Sequence, residues 1–206
     1  MSIDRNAEAN FDLLYLMLQA QDKYDGLCLD EIQTLLFLSF LMSVYGGKKT
    51  DEWGYQFSHG ELGGPATSSI VEELILMEQR RVVENNDGYY KVINSVREHI
   101  KNQVNVFITL GRFSWRVKYL DAAYGACIMN QLPAVTRAIK EDPELKIARD
   151  SSSKEILYPN DDRSYDHFVK LREATSDFSN DILTVSSIWI NYLSKMLQKE
   201  GKEEDV

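Results

Sequence analysis

A chain of 206 residues with 44% hydrophobic and 27% charged residues can bury a core, which excludes an extensively disordered protein. Its formal net charge of −9 disfavours unspecific binding to nucleic-acid backbones. The longest apolar run, residues 35–42, is far shorter than the roughly 20 residues that cross a bilayer, and residues 1–6 lack the apolar centre of a signal peptide. We therefore expect a cytoplasmic protein without membrane contact, in which Cys28 and Cys127 are free thiols.

Residues 1–95 predict an N-terminal module that begins with two helices. Apolar residues at helical spacing predict the first helix over residues 7–20. We expect Asp30 to cap the second helix, which extends to Tyr45 and stops at the following glycines. The second helix is apolar on nearly all sides, so it is either central to its own domain or covered by a partner.

The remainder of this module predicts a third helix between short strands. Alternating aromatic and small residues predict a strand over 53–59, and Thr67 or Ser68 caps a helix that reaches about Arg81. Two further strands flank a hairpin turn at residues 85–88. Helix, helix, strand, helix and hairpin follow one another as in a winged helix, although a hairpin can also follow a helix by chance.

Residues 96–206 predict a helical region, so the fold class is mainly α. Helices are expected over 94–132, with a break at 110–112, and over 134–140, followed by a loop over 141–164. A final helix over about 165–199 would be about 50 Å long. Its stripe comprises Phe168, Leu171, Thr175, Phe178, Ile182, Val185, Trp189, Tyr192 and Met196. The stripe packs either on the chain's own helices or between subunits, as in a coiled coil.

No complete catalytic set is found. Gly60, Gly63 and Gly64 have the wrong spacing for a phosphate-binding loop and precede no lysine. The flanking pair His59 and Glu61 is too small to define a metal site. We therefore expect a protein that is not an enzyme and that has no catalytic residues, metal or cofactor.

Charge is distributed unevenly along the chain. Residues 51–93 carry eight acids and three bases, so a winged helix here would bind protein rather than DNA. Residues 94–118, the basic segment, carry five bases and one acid. Arg112, Arg116 and Lys118 are therefore candidates for weak DNA contact, with a solvated charged face as the alternative.

Protein partners would use the apolar second helix, the acidic third helix and the final helix. The candidate interface residues are Leu36, Phe40, Glu72, Glu73, Phe178, Ile182, Val185, Trp189, Tyr192 and Met196.

The motif running through Tyr55-Gln56-Phe57, Gly64-Pro65, Ser68-Ser69-Ile70, Leu74, Val82 and Tyr89-Tyr90 resembles one known family. It is similar to the small middle component of bacterial ABC three-component and Lamassu-type antiphage defence systems. The resemblance implies a helical or winged-helix subunit that accompanies an SMC-like ATPase and an effector, often a nuclease. We therefore expect a non-enzymatic adaptor in antiphage or anti-plasmid defence. The alternative is a winged-helix transcription regulator that binds DNA as a homodimer.

Overall fold

The structure is a computed structural model that describes residues 6–151, 156, 170, 171, 173, 175 and 181–203. It is mainly α with small antiparallel sheets, as predicted. The described helices are α1 (Ala7–Ala20), α2 (Leu29–Tyr45), α3 (Ser68–Gln79), α4 (Asn94–Ile108), α5 (Gly111–Met129), α6 (Leu132–Ala138), α7 (Pro143–Asp150) and α8 (Ile182–Glu203). The strands are β1 (Leu27–Cys28), β2 (Ser58–His59), β3 (Pro65–Ala66), β4 (Val83–Asn86) and β5 (Tyr89–Val92).

Helix α2 is the central helix of the fold. Its start differs from the prediction: the helix begins at Leu29, and Glu31 rather than Asp30 secures the end by accepting the Cys28 N–H at 3.0 Å. Every residue from Ile32 to Tyr45 is buried, which explains why the helix is apolar on all sides.

Leu36 and Phe40, two candidate partner-binding residues, are completely enclosed by this core. Helices α5 and α6 pack along α2, so its apolar surface is already covered within the chain. The prediction that these two side chains contact a partner is therefore corrected, since neither is accessible.

The strand predicted over residues 53–59 is mostly absent. Thr50–Trp53 forms a 3₁₀ turn, and only Ser58–His59 is a strand, paired with Pro65–Ala66. The alternating pattern nevertheless marked the burial correctly, because Trp53, Tyr55 and Phe57 all point into the core.

A three-stranded sheet has the order β1–β5–β4. In its hairpin Val83 pairs with Val92, and the two-residue turn is formed by Asp87 and Gly88, both with positive φ (53° and 89°). Strand β1 lies on the other edge of β5 and connects this hairpin to the start of α2.

The C-terminal half contains one helix more than predicted among its described residues. Helices α4 and α5 lie where they were expected, but α7 occupies part of the predicted 141–164 loop. Asp142 caps α7 by accepting the Glu144 N–H at 2.9 Å, and Pro143 is its first residue. Helix α5 packs on α2, so residues on both sides of position 95 share one apolar core.

Helix α8 packs along α5 and α6 of its own chain. Small residues on α5 allow the close approach: a Cβ at Gly125 would lie 3.0 Å from the Leu183 side chain. Of the first part of the predicted 165–199 helix, residues 170, 171, 173 and 175 are described, and the stripe residues Leu171 and Thr175 among them are buried. Phe168 and Phe178 lie outside the described residues, and helix α8 begins at Ile182.

Candidate protein-binding surface

The outward side of α3 combines exposed aliphatic side chains with an acid. Val71 and Ile75, one turn apart, are 36% and 44% exposed, and Glu72 is exposed beside them. No lysine or arginine occurs between Ser68 and Gln79. We call Val71, Glu72 and Ile75 the outer face of α3. A surface of this composition suits an apolar, basic protein partner and repels phosphate.

Glu73, the neighbour of Glu72 in the sequence, points the other way. It is 1% exposed and accepts hydrogen bonds from the Asn6 N–H at 3.0 Å and the Asn10 side-chain amide at 2.9 Å. Both partners belong to the start of α1, so Glu73 attaches α3 to α1. Its predicted role as an interface residue is corrected, because its carboxylate is already satisfied inside the chain.

Arg116, a candidate DNA contact, lies in the centre of the core. Its guanidinium forms a bidentate ion pair with Asp12 of α1, with a distance of 2.8 Å between Arg116 Nε and Asp12 Oδ1. It also donates to the Trp53 carbonyl at 2.8 Å and lies 3.8 Å from the centre of the Trp53 ring. With no exposed surface, Arg116 cannot contact a phosphate, which corrects that prediction.

Two effects compete at the Asp12 carboxyl. Burial raises its pKa, while the charge of Arg116 and hydrogen bonds from Arg116 and Tyr55 lower it. Burial lowers the pKa of Arg116, but the Asp12 carboxylate holds it above its usual value. The geometry favours the charged pair, since the carboxylate accepts two guanidinium donors and the Tyr55 hydroxyl at 2.7 Å.

The other contacts between α1 and α5 lie nearer the surface. Arg112 pairs with Glu8, one turn before the buried pair. One turn beyond it, Tyr15 and Gln19 both donate to Asp121, at 2.7 and 2.6 Å. These contacts and the buried pair form a ladder between the two helices.

The basic segment does not form a continuous basic surface. Arg112 is exposed but paired with Glu8, and Arg97 is paired with Asp22. Lys118 is exposed, with its amine 4.6 Å from the centre of the Tyr119 ring. Within the described residues, Lys118 forms no ion pair, and of the three candidate DNA contacts it alone is both exposed and without one.

The α8 stripe is only partly buried. Val185 and Trp189 contact the core, Ile182 and Met196 are half-buried, and Tyr192 is 45% exposed. The described part of the stripe thus packs mainly within the chain rather than forming a long open seam.

Asp142 was not anticipated as an important residue. Besides capping α7, its carboxylate accepts the Trp189 indole N–H at 3.0 Å and so connects α7 to α8. Burial raises its pKa to about 6, although the hydrogen bonds from Trp189 and the backbone oppose that shift. An Asp-Pro pair is a recognisable helix start, so the cap could have been predicted, but the contact with Trp189 could not.

Comparison with known proteins finds no matching family model, curated sequence or solved structure. In the part of the chain that the structure describes, no three metal-ligating side chains cluster, and His59 and Glu61 gain no third ligand. The same residues contain no helix with the length and hydrophobicity required to cross a membrane.

Proposed function

We propose that this chain is a non-enzymatic adaptor subunit of a multiprotein complex, which joins an SMC-like ATPase to an effector in antiphage or anti-plasmid defence. The supporting observation is the outer face of α3, where Val71 and Ile75 are exposed around Glu72 without any base on the helix. Exposed aliphatic side chains at consecutive turns are typical of a helix that docks on another protein.

The order of elements supports a winged-helix module for this role. Helix α1, strand β1, helices α2 and α3 and the β4–β5 hairpin follow the order of that motif, and β1 pairs with the hairpin at its inner strand. In this module α3 would be the recognition helix. Its acidic, aliphatic surface then favours recognition of protein over recognition of a phosphate backbone.

The alternative, a DNA-binding regulator that acts as a homodimer, has less support. Such a protein needs several bases on one accessible surface. Here Arg116 is buried, and Arg112 and Arg97 are paired with acids of the same chain. Lys101 on α4 and Lys118 on α5 remain as exposed bases of the basic segment that form no ion pair within the described residues, which is too few for stable DNA binding.

The test is a native pull-down of the tagged chain co-expressed with the products of its neighbouring genes, followed by light scattering on the eluted complex. We expect stoichiometric retention of a large ATPase or a nuclease. The double variant Val71→Glu/Ile75→Glu should abolish retention, because two added charges would be desolvated against the partner.

The matched control is Val106→Glu/Met129→Glu, which also adds two negative charges, at side chains of α4 and α5 that are both 61% exposed. It should retain the partner as the unmodified chain does. A clean homodimer without any partner would refute the adaptor proposal, and titration with duplex DNA at several salt concentrations would then test the regulator.

A further inference from the structure

A cleft separates the start of α2 from the glycine turn of residues 60–64. The glycine turn forms one wall, Asp30 and Thr34 of α2 form another, and Thr136 and Lys140 close the third side. Its volume of about 240 Å³ is below the roughly 300 Å³ at which clefts for drug-sized ligands begin. The cleft therefore has room for about one amino-acid side chain.

Thr34 contributes to this cleft a hydroxyl that has no hydrogen-bond partner among the described residues. The Thr34 side chain is 1% exposed. Other hydroxyls on the same helix behave differently: Ser39 donates to the Leu35 carbonyl and Ser43 to the Phe40 carbonyl, each at 2.8 Å. A buried hydroxyl without a partner is costly, so a ligand that supplies one would be favoured.

The charges at the rim select the type of ligand. Asp30 and Glu61 are both exposed, and within the described residues neither forms an ion pair. Lys140, the base at the rim, already donates to the Leu62 carbonyl at 2.8 Å and so holds the turn in place. Lys140 keeps its positive charge, so the two carboxylates leave the rim with a net charge of −1, which attracts a cation and repels an anion.

An apolar side chain lies next to these acids. Leu62 at the tip of the glycine turn is 74% exposed, and Pro65 lines the interior. Lysine and arginine side chains combine an aliphatic stem with a cationic head. In this cleft the stem can pack on Leu62, and the head can lie near the Asp30 and Glu61 carboxylates.

We propose that this cleft binds a lysine or arginine side chain of a protein partner. The stem packs on Leu62, and the cationic head interacts with Asp30 and Glu61. Because Thr34 is 1% exposed in the free chain, the cleft opens around the head before the head donates to the Thr34 hydroxyl. This inference rests on the proposed role as a protein-binding subunit, but it concerns a surface that is separate from Val71 and Ile75.

The probes are the acetylated amides of arginine and lysine, titrated into the ¹⁵N-labelled full chain and followed by NMR. Binding should occur in the millimolar range expected of a one-residue ligand and should shift the amide signals of Thr34 and of Gly60 to Gly64. The acetylated amide of norleucine matches the lysine stem without its charge and should shift these signals at least fivefold less. The relative strength of the two basic probes shows which head group is preferred.

Two variants test the polar groups. Glu61→Gln should weaken binding at least threefold, whereas Glu98→Gln, an exposed acid of α4 that does not line the cleft, should leave it unchanged. Thr34→Val should also weaken binding at least threefold without loss of folded stability, because it removes an unpaired hydroxyl.

The proposal is overturned if norleucine amide shifts the same signals equally, if neither basic amide shifts them, or if Thr34→Val binds normally. Because the titration needs no partner protein, its failure is distinguishable from failure of the adaptor role. In that case the pull-down would still depend on Val71 and Ile75.

Discussion

Asp12 of α1 and Arg116 of α5 form a bidentate ion pair in which both side chains have no exposed surface. Replacing Arg116 by Met would leave the Asp12 carboxylate buried without a counterion. We expect Arg116→Met to lower the free energy of unfolding by about 3–5 kcal/mol, measured by chemical denaturation. The double variant Asp12→Leu/Arg116→Met should lose less than the sum of the two single changes.

Arg112 offers the matched control for this prediction. It lies one turn earlier on the same helix and pairs with Glu8, but its side chain is 62% exposed. Arg112→Gln should therefore cost less than about 1 kcal/mol. Equal losses for the two arginine variants would contradict the buried arrangement of Arg116.

The raised pKa of Asp142 predicts that the stability of the chain falls as the pH rises. Its pKa is about 6 in the folded chain, against an ordinary value of 3.8. Between these pH values the folded chain keeps a proton that the unfolded chain has released, so raising the pH favours unfolding. The contribution of this residue should fall by about 2 kcal/mol between pH 4 and pH 7, at about 1.36 kcal/mol per pKa unit.

Comparison with Asp142→Asn isolates this effect from the other acids. The difference in unfolding free energy between the native chain and the variant should change mainly between pH 4 and pH 6 and level off above pH 7. A constant difference between pH 4 and pH 8 would refute the shifted pKa. Trp189→Phe removes a hydrogen bond to the carboxylate and should move the transition to higher pH.

Position 46 requires glycine because the structure leaves no space for a larger side chain, and not because its backbone conformation is one that favours glycine. A Cβ at this position would lie 2.3 Å from the Tyr119 hydroxyl, and Tyr119 is itself buried. Gly46→Ala should destabilise the chain by about 1–3 kcal/mol in thermal or chemical denaturation. Gly111→Ala, where a Cβ meets no atom within 4 Å, should be neutral or stabilising by up to about 1 kcal/mol. If the two alanines had the same effect, close packing at Gly46 would be excluded.

Packing of α8 within the chain is tested through two leucines of that helix. Leu193 is buried, whereas Leu197 is 36% exposed one turn later. Leu193→Ala should cost about 2–5 kcal/mol, and Leu197→Ala much less. The midpoint of unfolding should not depend on protein concentration. A midpoint that rises with concentration would instead indicate that α8 is buried between subunits.

Hydrophobic spacing was sufficient to predict α1, α4 and α5, because each helix has a continuous apolar side facing the core. Helix α7 was missed because it is short and mostly polar, although Asp142 and Pro143 provide a start signal. The predicted strand at 53–59 shows the opposite problem: the pattern identified the buried residues correctly but not the backbone that carries them.

The roles of individual charged residues were harder to predict. Glu72 and Glu73 are chemically identical neighbours, and only the packing of α3 on α1 determines which one faces solvent. Likewise, nothing in the sequence distinguishes Arg112 from Arg116 as a candidate for DNA contact. Their different environments depend on Glu8 and Asp12, about a hundred residues away in the chain, and no local pattern encodes a contact of that kind.

The ladder between α1 and α5 also determines how these helices can align. If α5 slipped by one turn, Arg112 would meet Asp12, but Arg116 would lie beside Leu16 with its charge unpaired in the core. Asp121 would at the same time move away from Tyr15, one of its two donors on α1. Aliphatic packing alone tolerates such sliding far better. The polar contacts therefore specify a single register, and they also set where α3, which Glu73 attaches to α1, presents its outer face.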